Sequence, residues 1–227
     1  MSITTLAELR TALDTETSRS DITWDDYITR GETRLNRKLR LLQQETDGAL
    51  TLSSGNDYVS LPSDFIAHKD LYYTSDNWQP IQLAWPSLRA KTSTASGRPD
   101  YFAIGDKIYF ERSADQDYTM KQHYFKRWDL ATDNANWLLT NAPDAYIYSA
   151  LIAFNTRAKN SQAVVENRAL LVEVVDELNT MDAQTRARVS SSRRKGWKPS
   201  GSSWKTAGKG SSLSTSGIFH GSAALAM

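Results

Sequence analysis

The period of the hydrophobic pattern changes twice along this chain, and the change excludes any fold built from one kind of element. From Trp24 to Leu42 the residues Trp24, Ile28, Gly31, Leu35, Leu39 and Leu42 advance by three or four, which places them on one helical face. From about Ala49 to Trp128 the pattern breaks into short runs rich in aromatic and β-branched residues, with turn residues between them. From Ala145 to Met181 the helical spacing returns. Such a chain predicts an α+β fold: a helical bundle of about four helices, an inserted small antiparallel β subdomain and an extended C-terminal tail. The predicted division is 1–48 for the N-terminal helices of the bundle, 49–128 for the β subdomain, 129–189 for the C-terminal helices and 190–227 for the tail.

Local signals place the elements. Thr4 or Thr5 can cap a first helix over roughly residues 5–15, with Leu6, Leu9 and Leu13 on one face, and Thr17 to Asp21 reads as a polar connection. Thr23 is the expected N-cap of the second helix. Asp25 and Asp26 fall in its first turn, and Arg37, Lys38 and Arg40 collect near its far end, as the helix dipole favours. Its expected end is near Asp47-Gly48. Strand candidates are Ala49–Leu52, Tyr58–Leu61, Leu71–Tyr73, Tyr101–Ile104, Lys107–Phe110 and Tyr118–Phe125. Ile104-Gly105-Asp106-Lys107 predicts a hairpin with a two-residue loop in which Gly105 takes a positive φ. Pro86–Ala90 predicts a helical turn. Pro143 suits the first turn of a helix that runs from Ala145 to about Lys159, with Tyr146, Ile147, Ala150, Leu151, Phe154 and Ala158 on its apolar side. A break near Asn160-Ser161 leads to a second long helix whose face carries Val164, Leu171, Val174, Leu178 and Met181.

Composition narrows the class. With 227 residues the chain can hold one moderate domain, or one domain with an inserted subdomain. It has no cysteine, which excludes disulfides, thiolate metal sites and cysteine nucleophiles. No apolar run approaches the roughly 18 residues that span a bilayer. Met1-Ser2-Ile3-Thr4-Thr5 has no basic residue followed by an apolar core, so neither a membrane partner nor a secretory signal is expected. The net charge of +1 hides an asymmetry: eight basic and no acidic residues lie in 183–227, which leaves +8 there and −7 over 1–182. A mildly acidic body carries a basic arm, and such an arm seeks an acidic surface or nucleic acid. Residues 190–227 hold eleven serines and six of the eleven glycines, a composition that builds no core of its own. Within it Arg193, Arg194, Lys195, Lys198 and Lys205 supply charge, and Trp197, Trp204, Ile218 and Phe219 supply apolar anchors. These nine are the candidate partner-binding residues.

Catalytic chemistry finds no support. His68, His123 and His220 are far apart and no His/Cys/Asp cluster has ligand spacing, although His68 and His123 could meet in the β subdomain. There is no Gly-x-Ser-x-Gly elbow. Gly208-Lys209-Gly210 lacks the upstream glycine, the following Ser or Thr and the strand-to-helix setting of a phosphate loop. Capping and dipole compensation account for Asp21, Asp25 and Asp26. No metal, cofactor or enzymatic activity is expected. The many tyrosines and tryptophans suit the core and subunit contacts. Tyr101, Phe102 and Tyr109 could stack nucleic-acid bases, but basic residues do not interleave with them densely enough to favour that role.

Several strings, in order, carry a resemblance. They are Leu61-Pro62-Ser63-Asp64-Phe65, then Gly97-Arg98-Pro99-Asp100-Tyr101-Phe102, then the strand Tyr118–Phe125, then Asn136-Trp137-Leu138-Leu139-Thr140-Asn141-Ala142-Pro143-Asp144-Ala145-Tyr146. Together, over roughly residues 20–185, they resemble the head-to-tail adaptor proteins of tailed bacteriophages, the group that includes tail tubular protein A of short-tailed phages. The resemblance implies a structural ring, typically dodecameric, beneath the portal protein. It would connect the capsid to a nozzle or other tail protein, surround the packaged DNA at its exit channel, and be a virion component synthesised in the host cytoplasm. Carboxy-terminal segments of similar adaptors dock onto the portal, which gives the basic arm a role. The alternative is a nucleic-acid-binding protein that uses the arm, with Arg193, Arg194 and Lys195 on phosphates and Trp197 stacked on a base. A cell-wall hydrolase is disfavoured for want of paired catalytic residues.

Overall fold

A computed structural model of the chain describes residues 3–195, with side chains through residue 188. Helix α1 (Leu6–Thr17) begins at Thr5 with a reciprocal cap: the Thr5 hydroxyl accepts from the Glu8 backbone N–H while the Glu8 carboxylate accepts from the Thr5 N–H. It runs two residues further than its apolar spacing indicates, closing at Ser18 in the left-handed conformation. Helix α2 (Asp25–Lys38) starts from Trp24 and not from Thr23. The Trp24 backbone is already helical, and its buried indole donates to the Asp14 carboxylate at 2.7 Å. Asp25 and Asp26 do occupy the first turn.

The end of α2 corrects the sequence reading by about ten residues. Leu39 is extended (φ −97°, ψ 140°), and Leu42–Gln44 forms only a 3₁₀ turn. The cause is that Leu39 and Leu41 are both buried in the same core. Residues two apart share a face in extended chain but not in a helix, so the helix must unwind to bury both. Arg40 then donates to the carbonyls of Asn36 and Leu39, which the helix end leaves without partners.

The intervening segment forms two sheets from β1 (Glu45–Leu52), β2 (Tyr58–Ser60), β3 (Phe65–Tyr73), β4 (Ile81–Gln82), β5 (Tyr101–Ile104), β6 (Lys107–Phe110) and β7 (Tyr118–Lys126), with α3 (Trp85–Ala90) between β4 and β5. Their orders are β1-β7-β3 and β2-β6-β5-β4. Every pair is antiparallel except β4 with β5, so the second sheet is mixed where an antiparallel unit was expected. Leu52, Tyr73, Phe102, Ile108 and Met120 come from both sheets and share one apolar core. Met120, Gln122 and Tyr124 are buried and alternate along β7 with Lys121 and His123, which reach Asp47 on β1. Gly55 provides the one positive glycine φ among the described residues, at 82°, in the β1–β2 turn. Two residues, Gly105 and Asp106, separate β5 from β6 as expected, but Gly105 does not take a positive φ, and Ile104 pairs with Ile108.

The chain returns through two short helices that the hydrophobic period did not reveal, α4 (Leu130–Asp133) and α5 (Trp137–Asn141). Then come α6 (Pro143–Arg157), with Pro143 in its first turn, and α7 (Ser161–Lys195), separated at Lys159 (φ 57°). Helix α6 is buried around much of its circumference and packs on α1, α2, α5 and α7. Leu35, Leu39, Leu138, Leu139, Tyr146 and Ile152 are wholly buried in this second core. Of the apolar face expected on α7, Leu171, Val174 and Leu178 are buried, and Met181 is exposed. The helix also continues through Ser190–Ser192 to Lys195, past the expected boundary at 189.

Candidate interaction surfaces

Two polar side chains of α2 fix the point where the chain re-enters the helical bundle. The Asn36 side chain donates to the Trp128 carbonyl (3.0 Å) and accepts from its N–H (3.1 Å). One turn earlier, Glu32 accepts from the Leu130 N–H (3.1 Å) and from the Tyr146 hydroxyl (2.9 Å). Asn136 completes the cluster: it caps α5 by accepting from the Leu139 N–H (2.8 Å), and it donates to the Tyr146 hydroxyl oxygen (2.7 Å). The string Asn136–Tyr146 is therefore a structural clasp. Burial pushes the Glu32 carboxyl up to about 7, while the Tyr146 and Leu130 hydrogen bonds pull it the other way. Burial and the neighbouring carboxylate hold the Tyr146 hydroxyl well above its ordinary range. Glu32 also lines a cavity of about 190 Å³ with Arg10, Asp25 and Ile28. Its partners are a tyrosine hydroxyl and a backbone amide, so it positions the chain.

The two histidines within the β unit do not meet. The His68 ring packs against Phe102 and lies 3.4 Å from the Gln122 side-chain amide, on the buried face. His123 lies on the other face, against Tyr72 and paired with Asp47. His220 lies outside the described residues. Among the described residues no group of three His, Cys, Asp or Glu side chains could hold a metal ion.

Of the nine tail residues, Arg193, Arg194 and Lys195 fall in the last turn of α7, with side chains outside the described residues. Trp197, Lys198, Trp204, Lys205, Ile218 and Phe219 lie outside the described residues altogether.

What the structure does present is two unlike surfaces around α7. Val165 (63% exposed) and Val172 (46%) lie on one side of its buried stripe, and Leu170 (41%) and Met181 (58%) on the other. On the Val165 side, Arg30, Arg34 and Arg37 advance by four and three along α2, and with Thr33, Ala153 and Thr156 they line a cleft of about 350 Å³. A groove of about 320 Å³ between α6 and α7 shares Thr156 with that cleft and adds Lys159, Val165 and Arg168. Arg34 is half-buried and donates to the Ser149 carbonyl (3.3 Å). Burial pushes its guanidinium below the ordinary range, and the like charges of Arg168 and Arg37 add to this. Among the described residues no carboxylate is paired with Arg30, Arg34, Arg37 or Arg168. The sequence reading passed over this stripe, yet its spacing of four and three on a helix was the available signal.

Comparison with known proteins places this architecture. A family model described as SU10 adaptor protein matches residues 4–196. The chain belongs to the SU10 adaptor protein family. No curated protein matches the chain. The SU10 adaptor match takes in both cores, the Asn136 clasp and the whole of α7, and it stops within one residue of the last described turn. Membership carries a structural role as a bacteriophage adaptor in the virion, in association with portal and tail proteins in general. Of the tail candidates only Arg193, Arg194 and Lys195 fall within the matched SU10 adaptor segment. No helix among the described residues is long and apolar enough to cross a membrane.

Proposed function

We propose that this adaptor forms a ring under the portal vertex, typically of twelve copies, joining the capsid to the tail and surrounding the DNA exit channel. The observation that carries the reading is the family match across residues 4–196. The order of elements supports it: helices, a β unit, the Asn136 clasp and two long helices, as the resemblance to tail tubular protein A implies. In this reading the helical core builds the ring and meets the portal protein, and the β unit faces outward or toward a nozzle or other tail protein. The arm, residues 190–227, docks on the portal. Arg193, Arg194, Lys195, Lys198 and Lys205 supply electrostatic attraction there, and Trp197, Trp204, Ile218 and Phe219 supply apolar anchors that add effective concentration to a modest rigid contact.

Co-sedimentation with portal rings from the same phage tests the arm. The full chain is expected to pellet with the rings, and a chain lacking residues 190–227 is expected to fold but attach weakly; unchanged attachment would remove this role. A second reading rests on the +8 charge of residues 183–227, an arm that holds packaged DNA. Salt separates the two. Phosphate contacts lose about one log unit of affinity per log unit of salt for each phosphate neutralised, whereas docking through tryptophan anchors is less salt-sensitive.

A further inference from the structure

We infer that neighbouring copies of this chain join head to tail across α7, the basic flank of one copy seated against the acidic flank of the next. The inference rests on the ring reading above and names the contact that would close it. A ring needs a heterologous interface, in which two different patches on one subunit meet their complements on its two neighbours. The outer surface of α7 carries two such patches.

At 3.6 residues per turn, Val165 and Val172 lie roughly 160° around the helix from Leu170 and Met181. The buried stripe Leu171, Val174, Val175 and Leu178 faces the bundle between them, so both pairs project from opposite flanks. Neither pair is covered by other described residues, and exposed branched and thioether side chains at these positions are costly to leave in water. The charges differ in sign. Beside Val165 and Val172 stand Arg168 and Lys159, with Asp176 as a carboxylate on the same flank, and the adjoining cleft adds Arg30, Arg34 and Arg37, so the balance there is basic. Beside Leu170 and Met181 the residues Glu166, Glu173 and Glu177 advance by seven and four, so they share one exposed stripe, and with Arg188 toward the C-terminal end the balance there is acidic. None of the three pairs with a basic group among the described residues; Glu166 accepts only from the Gln162 amide.

Each flank thus offers apolar area bordered by a net charge, and the two net charges are opposite in sign. Two identical flanks would repel, which disfavours two-fold pairing through either one and leaves the basic-to-acidic contact as the favoured one. The cleft along Arg30, Arg34 and Arg37 is open enough to admit carboxylate side chains, and guanidinium groups bind carboxylates in bidentate fashion.

The test uses two full-length variants, Arg30→Glu/Arg37→Glu/Arg168→Glu and Glu173→Arg/Glu177→Arg, all five positions being exposed. Native mass spectrometry reads the assembly of each variant, alone and on portal rings, beside the unaltered chain. Either variant by itself presents like charges on both flanks, and should need a concentration about tenfold higher or more to assemble. An equal mixture of the two restores opposite charges at every contact and should assemble like the unaltered chain, in alternating order. That rescue also shows that both variants fold. Unaltered assembly of each variant alone, or a folded mixture that stays dissociated, would overturn the inference. So would loss of binding to a DNA oligonucleotide in the arginine variant with assembly intact, which would assign those arginines to phosphates. If the unaltered chain forms no multi-copy assembly in either setting, the ring reading itself fails and this contact falls with it.

Discussion

At Gly31 a hydrogen atom in place of a methyl group sets how closely α2 and α6 approach. A Cβ there would lie 2.6 Å from the Ser149 hydroxyl oxygen and 3.0 Å from the Ser149 carbonyl carbon and the Ala150 nitrogen. Alanine in a helix interior ordinarily gains about 0.5–1 kcal/mol over glycine. Here the backbone of α6 must shift, so Gly31→Ala is expected to cost about 1–3 kcal/mol instead. Urea denaturation measures this, and a stabilised variant would contradict the close crossing. The next residue of α2, Glu32, makes the fold sensitive to pH. Its carboxyl is raised from 4.5 to about 7, so between those values the folded state binds the extra proton. Its contribution is therefore fully present below about pH 4.5 and is lost as pH rises through 7, a change of about 3 kcal/mol at most. Glu32→Gln keeps an acceptor for Tyr146 and Leu130 but cannot titrate, and the decline in denaturation midpoint from pH 5 to 8 should flatten. An equal decline in the variant would place the titration elsewhere.

Among the elements, α7 does more than cover the bundle. In the C-terminal half of α7, Asp182 accepts from the Leu42 N–H (2.7 Å), and Arg186 bridges Asp182 and Glu45, the first residue of β1. Glu45 also pairs with Lys69 on β3. One helix thus grips both the 3₁₀ turn after α2 and the edge of the first sheet, tying the helical core to the β unit. The Arg186 side chain is 35% exposed, so solvent screens the network. Arg186→Ala should cost only about 1 kcal/mol overall, while amide exchange at Leu42 and through the start of β1 accelerates. Unchanged exchange there would mean that the two units are held by other contacts.

The same elements show what the sequence made legible. Helices α1, α6 and α7 and the start of α2 were readable because their apolar residues recur at helical spacing beside a cap or a proline. The end of α2 was not, because the competition between continuing the helix and burying both Leu39 and Leu41 is decided by the tertiary core. Strand β4 has two exposed residues and leaves no period, and its parallel partner is fixed by chain geometry, not by pattern. Helices α4 and α5 are shorter than a periodic window, although Asp129 and Asn136 marked their caps. Glu32 and Asn36 were visible as polar residues interrupting an apolar face, but their backbone partners, more than ninety residues away, were not. The Arg30, Arg34 and Arg37 stripe was readable from spacing alone. The grooves around it needed α6 and α7 in place.

At the scale of the whole molecule there are two apolar cores: the Glu32–Asn136 clasp closes the helical one, the Arg186 bridge ties it to the β unit, and α7 supplies two unlike flanks. The basic segment 183–227 adds the charge that the body lacks. In the ring proposed above, this body would repeat around an axis and attach to the portal. The most direct measurement is electron microscopy of the chain mixed with portal rings from the same phage, beside the chain alone. The account predicts a new layer of density under the portal, sharing its rotational symmetry, with α7 at the seams between copies. Bare portal rings beside folded, unassociated chains at modest salt would contradict it.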